Sequence, residues 1–361
     1  MRIAILCHMH HPIAEPYQGG TEAHTALLAN ELVARGHDVT LFAKEGSVTD
    51  AELYPLVPRD FEFVRVATPL VRKQQSGFLA EAVMHSIGVI AASDFDVVIN
   101  NSLSSLPYRF LDHIPMLTIL HTPPTLVDVT EIVSSPGWTA SPLHRYVTVS
   151  ETNARQWRQL IEAVETVYNG IRLESWNSAV NARPGIAVWA ARITPEKGLD
   201  LAIDAVRLAG MELEFAGPIA HSDYFETEIA PRLGQDVRYR GHLSHEQLGD
   251  FFASGSVFVA SPIWSEPFGL SVIESLASGT PVAALPNGAS AELVTSEAGA
   301  VAKSVSAASL AEAIVRASSV SRESARSASR RFAVGRMVDR YEVDLRELAS
   351  RVRTPDAELV V

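Results

Sequence analysis

Two cations near the middle of the sequence are spaced so that both could bind one polyanion. Arg192 ends the apolar segment GIAVWAAR, and Lys197 follows five residues later, where a helical pattern opens at Gly198. The arginine offers a planar fork of donors and the lysine a point charge, so a diphosphate fits between them. Either cation by itself is also typical of a solvated surface. The pair is therefore a candidate diphosphate site that needs support from other residues.

Two carboxylates follow in the segment SEPFGLSVIESLASGTPV. Glu266 lies in a proline-flanked loop and Glu274 about two turns into the helix predicted after it, so we expect them to contact different parts of one elongated ligand. Gly269 and Leu270, at the start of that helix, would offer free N–H groups to a phosphate between the carboxylates. Glutamates at this spacing are common by chance, so the spacing alone is a weak signal.

A glycine pair, Gly19 and Gly20, directly precedes a helical pattern that begins near Thr21. Glycines let a ligand approach the backbone closely, and the N–H groups and dipole of a helix start favour a phosphate. A flexible turn would also explain the pair. The GxGxxG pattern of dinucleotide-binding proteins is absent, which disfavours a dinucleotide oxidoreductase.

Short apolar segments alternate with helical patterns along the whole chain, which is typical of parallel βαβ units and predicts the α/β class. Ligands of such sheets bind beyond the carboxyl ends of the strands, which is where the candidate residues lie. The strands predicted in the first half cover residues 2–7, 38–43, 61–67, 96–100, 116–120 and 146–150.

A second series of strands predicts a second sheet. Its predicted strands cover residues 185–192, 211–217, 236–241, 256–261 and 280–285. The segment 169–184 between the two series contains Asn-Gly, a polar stretch and Arg-Pro, which favours a linker over a core element. We therefore predict a domain boundary near Asn169. The pattern from residue 306 to residue 350 is wholly helical and is followed by a short polar tail.

Composition narrows the class of protein further. The 361 residues suffice for two domains, and the net charge of −12 gives no overall attraction to nucleic acid or anionic lipid. The basic stretch from Arg322 to Arg353 reads as a solvated helical face. With a single cysteine, Cys7, and no apolar run long enough for a membrane span or a signal peptide, we expect a cytoplasmic protein.

Together these motifs resemble family-4 retaining glycosyltransferases of the GT-B fold. The resemblance is carried by GGTEAHTALLANELVARGHDVTL, VSETN, VYNGI, AARITPEKGLDLAI and SEPFGLSVIESLASGTPV, in the family's order and over nearly the whole chain. It implies two Rossmann-like domains that face each other across a cleft. Residues 1–168 would bind the acceptor and residues 169–335 the nucleotide sugar. Residues 336–361 would form a C-terminal helix and tail that pack back on the first domain.

The resemblance also implies what the candidate residues do. Arg192 and Lys197 would hold the diphosphate of a nucleotide-sugar donor. Glu266 would contact hydroxyls of the transferred sugar, and Glu274 would contact the ribose. Gly20, next to Gly19, would approach the distal phosphate from the opposite domain.

Further candidates follow from the same resemblance. His242 and Leu243 would border the base, and His121, in the sequence ILHTPP, matches a family histidine near the reacting sugar. Without the resemblance, His121 could equally be a capping histidine. The residues Phe268, Gly269 and Leu270 complete the expected donor site.

Two patterns suggest metal ligands, but each has a simpler interpretation. Asp94 and Asp96 imitate the DxD motif of another glycosyltransferase fold, yet they precede a strand rather than follow one, which favours a turn. A second pattern is the three histidines His8, His10 and His11, which follow a predicted strand beside Cys7. Alternate residues there point in different directions, so we expect these histidines to line an acceptor pocket instead of binding a metal. We predict no metal site and no cofactor.

The expected activity is transfer of a hexosyl unit from a nucleotide sugar, UDP-linked in preference to GDP-linked, to a small soluble acceptor. A nucleotide-sugar epimerase on the same scaffold and a non-catalytic nucleotide-sugar sensor are the alternatives. Arg72, Lys73 and Phe78 form one segment that could touch a membrane, although the acidic first half argues against a lipid-linked acceptor.

Overall fold

Two parallel β-sheets form the framework of the protein. The computed structural model describes residues 1–63 and 68–353. The strands of the first sheet are β1 Arg2–Cys7, β2 Asp38–Ala43, β3 Glu52–Pro55, β4 Val97–Asn101, β5 Met116–Leu120, β6 His144–Thr148 and β7 Val164–Thr166. Its helices are α1 Gly20–Ala34, α2 Pro69–Ala91, α3 Leu106–Phe110, α4 Val127–Val133 and α5 Glu151–Trp157.

The second half of the chain repeats the same arrangement. Its strands are β8 Ile186–Ala190, β9 Glu212–Ala216, β10 Val237–Tyr239, β11 Val257–Ala260, β12 Val282–Ala284 and β13 Gly299–Val301. Its helices are α6 Leu199–Leu208, α7 Ser222–Tyr224, α8 His245–Ser254, α9 Leu270–Ala277, α10 Ser290–Leu293, α11 Ala307–Ala317, α12 Arg322–Ser329 and α13 Val334–Arg353. The α/β class and the two Rossmann-like sheets predicted from the sequence are therefore confirmed.

Strand order places one switch point in each sheet. The orders are β3-β2-β1-β4-β5-β6-β7 and β10-β9-β8-β11-β12-β13, with every pairing parallel. The order reverses between β1 and β4 in the first sheet and between β8 and β11 in the second. Ligands of doubly wound sheets bind at such points, so residues that follow these four strands are positioned for a site.

The prediction of a strand over residues 61–67 is wrong for residues 61–63, and residues 64–67 lie outside the described part of the chain. The third strand of the sheet is instead β3, which pairs with β2. Phe61 and Phe63 do not pair with a strand; their rings pack together 4.9 Å apart, and Phe61 stacks on Phe78 of α2 at 4.5 Å. The alternating aromatic residues Phe61 and Phe63, which predicted a strand, instead reflect aromatic packing next to a helix.

The segment 169–184 is more than a polar linker. Ile171 is 5% exposed and Trp176, in a short 3-10 helix, is 1% exposed. The indole of Trp176 packs against the ring of His245 at 4.4 Å and against Phe252 at 5.9 Å. This segment therefore contributes two apolar side chains to the core, although its polar residues suggested that it would not.

The last helix, α13, packs on the first domain. Arg145 of β6 pairs with Asp344, whose side chain is fully buried. Nη1 of Arg35, just after α1, lies 2.5 Å from Oε2 of Glu342. Because α13 follows the second sheet in the chain, the polypeptide crosses between the domains twice, once near Asn169 and once before α13. Among the described residues, no helix is long and apolar enough to span a membrane.

Candidate active site

A cleft of about 680 Å³ lies between the two sheets, at their switch points. It brings together all the site residues expected from the sequence, which come from both halves of the chain. Those residues are Gly19, Gly20, His121, Arg192, Lys197, His242, Leu243, Glu266, Phe268, Gly269, Leu270 and Glu274. The structure thus places them at one surface, and their individual roles stay predictions.

Arg192 and Lys197 lie in the loop after β8. Among the described residues the guanidinium of Arg192 has no hydrogen-bonding or ion-pair partner, although it lines the cleft. Gly198, which follows Lys197, has φ +64°, and a Cβ there would lie 2.3 Å from the carbonyl oxygen of Ser261. Only glycine fits this close approach, which packs the lysine loop against the end of β11. The loop therefore presents two cations at a fixed position.

Glu266 is held from two sides in the loop after β11. Its Oε2 lies 2.5 Å from Nζ of Lys197 and accepts a 2.7 Å hydrogen bond from the indole Nε1 of Trp264. Gly288, with φ +59°, packs closely on the backbone of Glu266. A Cβ on Gly288 would lie 2.1 Å from the carbonyl oxygen of Glu266. The carboxylate therefore has a defined orientation toward the cleft. Trp264 was not among the site residues predicted from the sequence.

Glu274 lines the cleft from α9, where its carboxyl group accepts no hydrogen bond from the described residues. Burial raises the pKa of Glu274 to about 8. The group is therefore largely protonated at neutral pH while no ligand is bound. Such a carboxyl is poised to form hydrogen bonds with a ligand's hydroxyl groups.

Two helix starts face each other across the cleft. Gly20 begins α1, and a Cβ added to it would lie 3.3 Å from Cδ1 of Leu270, the first residue of α9. Gly269 caps α9 with φ +104°, a left-handed conformation that favours glycine. The free N–H groups at both helix starts and the positive ends of their dipoles favour an anion in this part of the cleft.

His121 follows β5 on the opposite wall. Its Nε2 lies 3.3 Å from Oδ1 of Asn101, and its ring packs edge-on against His24 at 4.8 Å. Burial holds the pKa of His121 well below its usual value, so the ring is uncharged at neutral pH. An uncharged imidazole can donate or accept a hydrogen bond there without adding charge.

The first domain contributes a further group of polar residues to the cleft wall. His8, His10 and His11 all line it, as does Glu22, which the sequence analysis did not identify. The signal was present, because Glu22 lies in the first turn of the helix that follows the glycine pair. Side chains in a first turn lie close to the loop that precedes the helix.

One end of the cleft is lined by His242 and Leu243, after β10, together with His245 and Leu248 of α8. The ring of Trp176 packs against His245, so the segment that joins the domains also shapes this end. Neither His245 nor Trp176 was predicted, since their contact joins two distant parts of the sequence.

The sequence patterns that could suggest a metal do not form a ligand set. Among the residues that the structure describes, no three His, Cys, Asp or Glu side chains are grouped as metal ligands. Asp94 and Asp96 lie in the turn between α2 and β4, where Asp96 accepts the backbone N–H of Arg2 at 2.9 Å. Cys7 is buried, with its Sγ 4.0 Å from the hydroxyl of Thr25.

Comparison with known families accounts for both halves of the chain. The family model "Glycosyltransferase Family 4" matches residues 18–175, and the model "Glycosyl transferases group 1" matches residues 171–331. The chain belongs to the family-4 glycosyltransferases of the GT-B fold. It is similar to the D-inositol 3-phosphate glycosyltransferase of Mycolicibacterium smegmatis, at 25% identity over 78% of this chain and 75% of that protein.

Solved structures support the fold assignment. Sucrose-phosphate synthase from Thermosynechococcus elongatus superposes with a TM-score of 0.74 at 19% identity, covering 98% of each chain. HepE from Anabaena, solved in complex with UDP-glucose, superposes with a TM-score of 0.67 at 18% identity, covering 96% of this chain and all of that one. Both share the two-domain GT-B architecture described above.

Proposed function

We propose that this glycosyltransferase moves a hexosyl unit, with retention of configuration, from a nucleoside diphosphate sugar to a small acceptor without a metal ion. UDP is the favoured nucleotide and GDP a possible one. The observation that carries the proposal is the guanidinium of Arg192, which has no partner in the described part of the chain and lines the cleft together with Lys197 and the start of α9. A nucleoside diphosphate is an elongated anion that matches this charge and the carboxyl groups beside it.

The chemistry follows from where charge develops. Breaking the bond between the sugar and the diphosphate leaves negative charge on the diphosphate oxygens. That charge would be stabilised by Arg192, Lys197 and the N–H groups at the start of α9. The protein would therefore supply the positive charge that a metal ion supplies in a metal-dependent enzyme. An acceptor hydroxyl would attack the anomeric carbon of the sugar from the face that the diphosphate leaves. A new carbon–oxygen bond forms, and the hydroxyl proton passes to a diphosphate oxygen.

The two halves of the cleft would contact different parts of the substrates. Glu266 would bind hydroxyl groups of the transferred sugar, Glu274 the ribose, and His242 and Leu243 the base. Gly20 and His121 come from the other domain, so the reacting group would lie between the domains. The contact between Gly20 and Leu270 suggests that closure of the domains assembles the site.

Acceptor-dependent release of UDP from UDP-glucose tests this proposal. The complex of HepE with UDP-glucose makes that donor a reasonable first probe. We expect UDP release that requires an acceptor, persists in EDTA and yields a product with the donor's anomeric configuration. Interconversion of donors without UDP release would favour an epimerase, and binding without either reaction would favour a sensor. Activity lost in EDTA and restored by Mn²⁺ would contradict the metal-independent site.

A further inference from the structure

Charge is distributed unevenly between the two halves of the cleft. Among the described residues that line it, the arginine and lysine side chains are Arg192 and Lys197, and both come from the second domain. The first domain contributes the carboxylates of Glu15 and Glu22 instead. Lys44 of the first domain is buried, donates a 2.6 Å hydrogen bond to the carbonyl oxygen of Phe61 and does not line the cleft.

Glu22 is a buried residue whose carboxyl group has no hydrogen-bond donor within residues 1–63 and 68–353. Its residue is 6% exposed and lines the cleft, yet its oxygens accept no hydrogen bond from the described residues. The charge partner within reach is His8, whose Nε2 lies 3.4 Å from Oε1 of Glu22. Burial lowers the pKa of His8 to about 4, so at neutral pH this imidazole carries no compensating charge. A buried carboxylate of this kind needs donors from a ligand.

The position of Glu22 places it where the two substrates meet. Its Oε2 would lie 3.2 Å from a Cβ on Gly19. The next residue, Gly20, approaches Leu270 of the donor half across the cleft. The carboxylate therefore lies at the junction of the acceptor half and the donor half.

Aromatic side chains complete this part of the wall. The ring of Phe63 packs at 5.1 Å from the ring of His10, and both residues line the cleft. His10 in turn lies 6.0 Å from the ring of His8. A site with a few fixed polar groups beside aromatic side chains suits a ring that has both hydroxyl groups and apolar faces.

We propose that the first domain binds an uncharged saccharide or polyol, whose hydroxyl groups donate to Glu22 and whose ring lies against Phe63, and that this subsite rejects phosphorylated acceptors. A phosphate brings further negative charge, so it would be repelled by Glu22. The proposed acceptor thus differs from the substrate named for the D-inositol 3-phosphate glycosyltransferase relative. This inference rests on the proposed transfer activity.

Matched pairs of acceptors test the proposal with the full chain. UDP release from UDP-glucose is measured with glucose and glucose 6-phosphate, and with myo-inositol and D-inositol 3-phosphate, each at high millimolar concentration. We expect the uncharged member of at least one pair to be used, with a kcat/KM at least tenfold higher than that of its phosphorylated partner. A preference for the phosphorylated members, or no release with any uncharged member, would overturn the proposal.

Substitution of Glu22 tests whether that carboxylate is responsible. Glu22→Gln should raise the KM for the uncharged acceptor about tenfold or more, since it removes a charged hydrogen-bond acceptor. It should also narrow the discrimination against the phosphorylated partner. Glu22→Asp, which keeps the charge, should retain the discrimination. Glu81→Gln, at an exposed position on α2, is the matched control and should change neither quantity.

Binding of UDP-glucose, measured separately by calorimetry, distinguishes this inference from the proposed function. If wild-type protein binds UDP-glucose and transfers its sugar but prefers phosphorylated acceptors, the acceptor inference alone fails. If UDP-glucose does not bind, the proposed function fails. An unchanged KM and unchanged discrimination in a folded Glu22→Gln variant would likewise overturn the role given to Glu22.

Discussion

At the scale of single residues, Glu274 couples ligand binding to pH. Its pKa, raised by burial to about 8, means that the unliganded protein holds a proton there at neutral pH. An ionised carboxylate accepts hydroxyl hydrogen bonds more strongly than a neutral carboxyl does. If the ribose hydroxyls select the ionised form, binding of the nucleotide must release that proton.

The affinity for UDP-glucose should therefore rise with pH. Only the ionised fraction of Glu274 binds tightly, and that fraction grows about tenfold per pH unit below the pKa, so affinity should increase from pH 6 and level off above about pH 8. Calorimetry at pH 7 in two buffers of different ionisation enthalpy should register the released proton. Glu274→Gln should bind more weakly, with affinity independent of pH over this range. A wild-type affinity that falls as pH rises would contradict this role.

The candidate site could be predicted largely from sequence because of how parallel sheets are built. Arg192 and His121 are far apart in the chain, but each follows a strand, and the carboxyl ends of strands next to a switch point face one cleft. Trp264 and Glu22 could not be found in this way. The role of Trp264 depends on its contact with Glu266, which no local pattern encodes, whereas the place of Glu22 in the first turn of the helix after the glycine pair was a usable signal.

At the scale of elements, the loop between β11 and α9 determines how Glu266 is presented. Trp264 donates to the same oxygen of Glu266 that faces Lys197. The indole thus orients the carboxylate that we propose contacts the transferred sugar. Trp264 acts through Glu266 and is a positioning residue.

Trp264→Phe should separate sugar transfer from nucleotide binding. The phenyl ring keeps most of the packing but loses the donor to Glu266, and a hydrogen bond to a charged group is worth about 1.5 to 3 kcal/mol. We expect kcat/KM for UDP-glucose to fall about tenfold or more, while the dissociation constant of UDP, which has no sugar, changes less than about twofold. Trp138→Phe, outside the cleft lining, should leave both values unchanged. Equal losses in UDP and UDP-glucose binding would contradict the assignment.

Most central strands of both sheets could be predicted because each is a short run of buried apolar residues. The edges of the sheets were harder. β7 and β13, each at one edge of its sheet, were not predicted: their sequences, VET and GAV, contain no run or alternation of large apolar residues. β3 has two half-exposed central residues, and the stronger alternation nearby belongs to Phe61 and Phe63, of which Phe61 stacks on Phe78 of α2 and Phe63 packs against Phe61.

At the scale of the whole molecule, α13 ties the end of the chain to the first domain. Arg145 is 16% exposed at its side chain and Asp344 is fully buried, so their ion pair is shielded from water. Removing one partner from a buried pair is strongly destabilising, and without Arg145 the buried Asp344 keeps only the half-exposed Arg340, 3.2 Å away, as a cationic partner among the described residues. The stability of the first domain should therefore depend on the last helix.

Arg145→Ala should destabilise the protein by about 3 to 5 kcal/mol in urea unfolding followed by tryptophan fluorescence. Arg346→Ala removes a solvent-exposed partner of Glu342 on the same helix and should cost at most about 1 kcal/mol. The contrast reflects burial and position, since Arg145 joins β6 to α13 through Asp344 and Glu347, whereas Arg346 pairs with Glu342 within α13. Similar small effects for the two variants would mean that α13 contributes little to the first domain.

The whole molecule forms one cleft from two domains, and we propose that this cleft binds the diphosphate of a nucleotide sugar without a metal ion. Titration of UDP-glucose into wild-type protein and Arg192→Ala, both in EDTA, tests that claim most directly. We expect binding by the wild type and an affinity about 10- to 150-fold weaker in the variant, with Arg316→Ala as an unaffected control. Equal affinity in wild type and Arg192→Ala, or no binding until Mn²⁺ is added, would contradict it.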